Sequence, residues 1–256
     1  MKNNCKSKKT KSVVFLGIDG SGKSTLSKNV SILLSANLNV ALISDKLEYY
    51  EAKHLIHKKR FFIEKIRNVI GSYAKKAKSL KLYKIPKLIE LLIRDRIIIK
   101  IKKRHYPDFI VLDGSPLLNL TAWSILYKEE FFNETMCLKV INILTSLNKD
   151  IRRDDQIFKI FPELSVLKRL GLAHLNMPDI VIFLDVEPEI ALSRIETRER
   201  KKQVHETIEK LAKLRTAYSI MCKAIKNNMN ITTYILPGND TIRNITNKTI
   251  TLIKSN

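Results

Sequence analysis

The run Gly17-Ile18-Asp19-Gly20-Ser21-Gly22-Lys23-Ser24-Thr25 constrains this chain more than any other feature. It follows the apolar run Val13-Val14-Phe15-Leu16 and opens a stretch that carries Leu26, Val30, Leu33 and Leu34. Strand, glycine loop, helix is the context in which G-x-x-x-x-G-K-[ST] reads as a phosphate-binding loop. Gly17, Gly20 and Gly22 let the backbone turn tightly, so that consecutive N–H groups can point at phosphate oxygens. The start of the helix adds its partial positive charge at the same place. On this reading Gly17, Asp19, Gly20, Ser21, Gly22, Lys23, Ser24 and Thr25 form an ATP site. Lys23 would reach the outer phosphates, and the Ser24 hydroxyl would ligate Mg2+. A glycine turn before an ordinary helix is the plain alternative, but it leaves the Lys-Ser pair unexplained.

Short, continuously apolar runs recur at 12–17, 40–44, 109–113, 180–185 and 232–236. Such runs suit parallel strands covered on both faces. Between them lie helical patterns at 23–36, 86–103, 117–130, 135–147, 188–198, 206–226 and 241–254, long enough for right-handed crossovers. The expected fold is α/β: a three-layer, doubly wound parallel sheet of about five strands. Its ligands are expected at the carboxyl ends of the strands. Residues 1–11 read as a basic disordered tail and 12–256 as a single P-loop domain. Within it, 51–105 and 131–175 read as helical insertions and 196–205 as a lid.

Composition narrows the class further. An apolar fraction of 45% supports a sizeable core. Cys5, Cys137 and Cys222 are widely spaced, which argues against a zinc site or a disulfide framework and fits a reducing compartment. No apolar run reaches membrane-spanning length, so a soluble, cytoplasmic protein is expected. The net charge of +22 is uneven: residues 51–105 hold 18 Lys or Arg against 4 Asp or Glu. That segment could attract nucleic acid, anionic lipid or phosphorylated substrates. Solvated helix faces in a lysine-rich chain are the simpler account, and no aromatic platform is spaced to stack bases.

Outside the loop, Asp113 ends an apolar strand and precedes the turn Gly114-Ser115-Pro116. A carboxylate there can hold a Mg2+ shell or orient an acceptor, and it could equally cap the next helix. Asp185 ends another strand, where a helix cap and a metal contact are equally plausible. Arg194 and Arg198 lie four residues apart before a basic turn, as in a lid that neutralises transferring phosphates. Arg96, in the helical stretch 86–103, could be aimed at an acceptor phosphate, though surface ion pairing is a near rival. Ser115 is a further candidate on the acceptor side.

These residues resemble thymidylate kinases, among the P-loop nucleoside monophosphate kinases. The resemblance rests on the loop 17–25 with Asp19 inside it, on the segment 178–195 around Asp185, and on 206–218 with Leu211, Arg215 and Tyr218. It implies that Lys23 and Ser24 serve ATP and Mg2+ and that Asp19 contacts the acceptor's sugar hydroxyl. It further implies Asp113 at the reacting centre, Arg194 or Arg198 closing from the lid, and Arg96 on the acceptor phosphate. A homodimer is also implied. The chain departs from the family where Gly114-Ser115 follows Asp113, at a position usually occupied by arginine.

The function expected is Mg-dependent transfer of the ATP γ-phosphoryl to a small-molecule acceptor. That acceptor would be a nucleoside monophosphate, with thymidylate (dTMP) the first candidate. One alternative is a kinase for a nucleoside, a sugar or another small hydroxyl compound. Another is an ATP-dependent switch or a nucleic-acid-associated P-loop protein.

Overall fold

Every second residue of the central strands faces the opposite side of the sheet, and both sides are apolar. Val14, Leu16, Ala41, Ile43, Ile110 and Leu112 enter one core cluster. Val13, Phe15, Val40, Leu42 and Val111 enter the other. This period of two, with no polar face, requires helices on both sides of the sheet. A computed structural model, which describes residues 10–58, 61–147, 155–197 and 203–255, has that three-layer form.

The strands are β1 (Lys11–Leu16), β2 (Val40–Ile43), β3 (Leu47–Glu51), β4 (His54–Ile56), β5 (Phe109–Asp113), β6 (Ile180–Asp185) and β7 (Thr232–Pro237). They form one sheet in the order β4-β3-β2-β5-β1-β6-β7. The five expected strands are present and mutually parallel. The sheet nevertheless has seven strands rather than about five, because β3 and β4 add an antiparallel hairpin beyond β2. The segment from 51 is therefore not helical at its start. The hairpin turns through Ala52 and Lys53, both at positive φ (47° and 66°). This is the conformation of the tightest hairpin turns, usually marked by Asn-Gly.

The helices are α1 (Lys23–Leu34), α2 (Phe62–Lys75), α3 (Leu80–His105), α4 (Pro116–Trp123), α5 (Glu134–Thr145), α6 (Gln156–Ile160), α7 (Pro162–Arg169), α8 (Pro188–Glu196), α9 (Ile208–Asn228) and α10 (Ile242–Lys254). Two differ from the periodicity. α3 starts before Pro86 rather than at it: Ser79 accepts a hydrogen bond from the Leu82 N–H, and the buried Tyr83 stacks on Trp123. That packing keeps the helix running through a proline. α4 is shorter than 117–130 and gives way to two short 3-10 turns, 124–126 and 129–131. Most of the 1–11 tail, part of the 131–175 segment and the lid positions 198–202 lie outside the described residues.

Cys137 on α5 and Cys222 on α9 are free and fully buried where these helices pack. Burial pushes both thiols up to about 12. A thiol reagent at pH 8 is therefore expected to leave both unlabelled until denaturant opens the core, as peptide mapping of labelled protein would check.

Candidate active site

The phosphate loop leaves β1, the middle strand of the parallel set, where neighbouring connections run to opposite sides of the sheet. Such a switch point opens a crevice at the carboxyl ends of the strands. Gly22 precedes α1 in the left-handed conformation, at φ 89°. Gly20 has φ +84°, and a Cβ there would meet the Ala191 carbonyl oxygen at 2.2 Å. A Cβ on Gly22 would meet nothing within 4 Å. Gly20→Ala is therefore expected to shift the loop off α8 and abolish ATP binding, on top of about 1–3 kcal/mol of backbone strain. Gly22→Ala should show the strain alone. Calorimetric ATP titration beside thermal melts separates the two.

A cavity of about 370 Å³ lies in front of the loop, bordered by Gly17, Ile18, Asp19, Lys23 and Ser24. The Lys23 ammonium donates to the Ile18 carbonyl (3.2 Å) and to Asp19 Oδ1 (3.0 Å). Asp19 Oδ2 is 2.8 Å from Nε2 of His205, a side chain only 2% exposed. Burial pushes the Asp19 carboxyl up, but Lys23 and His205 outweigh it and hold the group well below its usual range. Asp113 borders the same cavity from the end of β5, and its Oδ1 is buried without a partner among the described residues.

The far wall comes from the β2–β3 turn, α2 and α3. The buried Arg94 of α3 donates to the Ile43 carbonyl (2.7 Å) and the Asp113 carbonyl (2.5 Å), tying the ends of β2 and β5 together. Arg67 of α2 donates to the carbonyls of Ser44 and Asp45 and to Asn68 Oδ1. Burial and the neighbouring Arg94 push the Arg67 guanidinium down. Glu90 pairs with Lys87 at 2.8 Å. Burial raises the Glu90 carboxyl, while Lys87, Arg94 and Arg67 bring it below its ordinary value. Six cations on the cavity wall (Lys23, Lys46, Arg67, Lys75, Lys87 and Arg94) face four carboxylates (Asp19, Asp45, Glu90 and Asp113), so the cavity as a whole attracts anions.

The structure brings Gly17, Asp19, Lys23, Ser24 and Asp113 together. Gly20, Ser21, Gly22 and Thr25 shape the loop without bordering the cavity. Arg96 does not reach it; Arg94, two residues earlier and so on another helix face, does. Ser115 is buried and accepts from the Leu118 N–H as the cap of α4. Arg194 lies behind the loop and donates to the carbonyls of Gly20 and Gly238, both at 3.4 Å. Arg198 lies outside the described residues. Asp185 is engaged by Arg215, which also pairs with Glu187, an ion-paired arrangement rather than a helix cap. Arg67, Lys87, Glu90, Arg94 and His205 were not legible as site residues from motifs.

No cluster of three or more His, Cys, Asp or Glu suited to a metal occurs among the described residues. Mg2+ needs no such cluster, since it commonly takes one or two carboxylates and completes its shell with water and substrate phosphates. The unpartnered Oδ1 of Asp113 is such a carboxylate, and the hydroxyl of the cavity-side Ser24 is a further oxygen donor of the sort a phosphate loop offers the ion. The residues present fit the ion.

Comparison with known proteins agrees with the resemblance read from the sequence. A family model for thymidylate kinase matches residues 162–247. A thymidylate kinase from Leptospira interrogans is 32% identical over 101 residues, covering 35% of this chain and 49% of that protein. One from Leptospira borgpetersenii is 37% identical over 60 residues, covering 23% and 29%. The chain spans about half the length, or less, of the curated relatives it matches. A structure of deoxyadenosine kinase from M. mycoides with dCMP and dCDP superposes with a TM-score of 0.58 at 17% identity, covering 96% of this chain and 100% of that one. The same enzyme with bound dATP gives a TM-score of 0.56 at 16% identity, covering 94% and 98%. At these identities the structures establish the fold alone: a P-loop α/β domain with a parallel-dominated sheet between layers of helices.

Proposed function

We propose that this protein is a Mg-dependent phosphotransferase that moves the ATP γ-phosphoryl to a nucleoside monophosphate, with dTMP the first acceptor to test. One observation carries this reading. A single cavity joins the phosphate loop to a wall holding Arg67, Lys87 and Arg94, so an anionic donor and an anionic acceptor can meet within it. Phosphoryl transfer spreads charge over the equatorial oxygens, and catalysis is mainly positioning and neutralisation. An acceptor phosphate oxygen attacks the γ-phosphorus while the bond to the bridging oxygen breaks and ADP leaves. Lys23 supplies positive charge on the donor side; Arg94 and Arg67 supply it on the acceptor side. Ser24 and Asp113 would hold Mg2+, which when bound neutralises the donor phosphates.

The unpartnered Oδ1 of Asp113 supports a second reading, a nucleoside or other hydroxyl acceptor. A hydroxyl must lose a proton to attack, and a buried carboxylate can take it. Screening nucleoside monophosphates, nucleosides and sugars for ATP-dependent phosphorylation separates the two. Turnover of nucleosides without monophosphates would replace the first reading by the second. ATP hydrolysis stimulated only by nucleic acid would displace both.

Among the described residues no helix is long and apolar enough to cross a membrane. Phe62, Ile66, Val69 and Tyr73 form an exposed apolar stripe on α2, and Leu82, Ile85 and Ile89 form another on α3. These spacings place each set on one helix face. We read the stripes as the contact of a two-fold homodimer, in which the same patch on each copy meets its counterpart. Sedimentation is expected to give a dimer, and Val69→Glu a monomer.

A further inference from the structure

His205 stands at the end of the segment read as a lid and carries no motif signature of its own, yet at the cavity it is buried and held from several sides. Its imidazole is 2% exposed, and its ring centroid lies 5.0 Å from both Tyr83 and Trp123, which stack on each other at 5.3 Å. The chain leading to it is braced as well. The Gln203 N–H donates to Glu206 Oε2 (2.6 Å), and Lys210 donates to the Val204 carbonyl (2.6 Å). Among the described residues, the one hydrogen bond the ring makes is to Asp19, 186 residues away in sequence. A carboxylate only accepts, so Nε2 donates in this bond. Nδ1 is buried and has no partner among the described residues.

Asp19 divides its two oxygens between this imidazole and the Lys23 ammonium. Lys23 must turn from Asp19 towards phosphate oxygens when a nucleotide binds. A carboxylate losing that partner would be free to swing. Held through Oδ2 by a buried ring packed against Tyr83 and Trp123, it keeps one anchor. We propose that His205 is a positioning residue for phosphoryl transfer, fixing the Asp19 carboxylate so that Lys23 is delivered to the phosphates in one orientation. The inference rests on the phosphotransferase reading above. It adds a link between the chain just before α9 and the phosphate loop that the loop motif does not contain.

The test is a double-mutant cycle between positions 19 and 205. His205→Ala is expected to lower kcat about tenfold, with KM for ATP changed by less than about twofold, since the two positions are in direct contact. His205→Gln, whose amide N–H can take the place of Nε2, should recover most of the loss. In an Asp19→Asn background, His205→Ala should cost less than about twofold, because the link is already altered. Circular dichroism and thermal melts restrict the comparison to folded variants. An equal loss from His205→Ala in both backgrounds would overturn the proposal, as would a folded His205→Gln no better than alanine. If the wild type binds MgATP but phosphorylates no acceptor, the phosphotransferase reading fails on its own. The cycle is then read from the rate of MgATP hydrolysis by water, and a coupling below about twofold overturns the role of His205.

Discussion

Lys23→Ala is expected to reduce phosphoryl transfer by about 10²–10³-fold while the protein stays folded. Removing a single preorganised donor from a site of developing charge costs that much in comparable enzymes. The substitution deletes the ammonium that the loop holds between Asp19 Oδ1 and the Ile18 carbonyl. Folding should be little affected: the pair with Asp19 is partly exposed, and Asp19 keeps its bond to His205. The measurements are initial rates with the acceptor found by screening, MgATP affinity, and a melting curve. Unimpaired transfer by a folded Lys23→Ala protein would remove the loop from the mechanism.

Arg94→Ala is expected to be damaging in two ways at once. Arg94 is buried, and its guanidinium donates to the carbonyls of Ile43 and Asp113. Alanine leaves two carbonyls without that donor, at about 1–3 kcal/mol each. In a domain of this size 1 kcal/mol corresponds to roughly 2–4 °C in Tm. The acceptor wall also loses a cation, and a hydrogen bond involving a charged group is worth about 1.5–3 kcal/mol, or roughly 10–150-fold in kcat/KM. Arg94→Lys separates the effects. A lysine keeps the charge but lacks the planar fork that can span two acceptors. It should therefore restore part of the acceptor affinity and little of the stability. Arg96→Ala, on a different face of α3, should leave the acceptor KM unchanged.

The contrast between Arg94 and Arg96 shows where the sequence runs out. A helix turns 100° per residue, so two positions differ by most of a half-turn. Only the apolar pattern can say which faces inward. α3 has no such segregated pattern: charged and apolar residues are spread around it, and Glu90, Arg94 and Asp95 are buried alongside Leu91, Ile97, Ile98 and Ile101. The strands were legible because each is an unbroken apolar run, whereas the β3–β4 hairpin was not. Its turn residues Ala52 and Lys53 carry no turn signature, and β3 reads Leu-Glu-Tyr-Tyr-Glu. The phosphate loop declared itself because its chemistry is local. Glu90, Arg67 and His205 are brought to the cavity by tertiary packing from α2, α3 and the chain before α9, and no local spacing encodes such a meeting.

The stacked rings beside His205 have a practical consequence. Trp123 is the one tryptophan in the sequence. It borders the cavity, lies against Tyr83 and His205, and donates from Nε1 to the Tyr218 hydroxyl. Indole emission responds to nearby charge and polarity, so the unlabelled protein carries a single optical reporter at the place where donor and acceptor would meet. Ligands could be ranked from its fluorescence alone, with no other indole to obscure the signal.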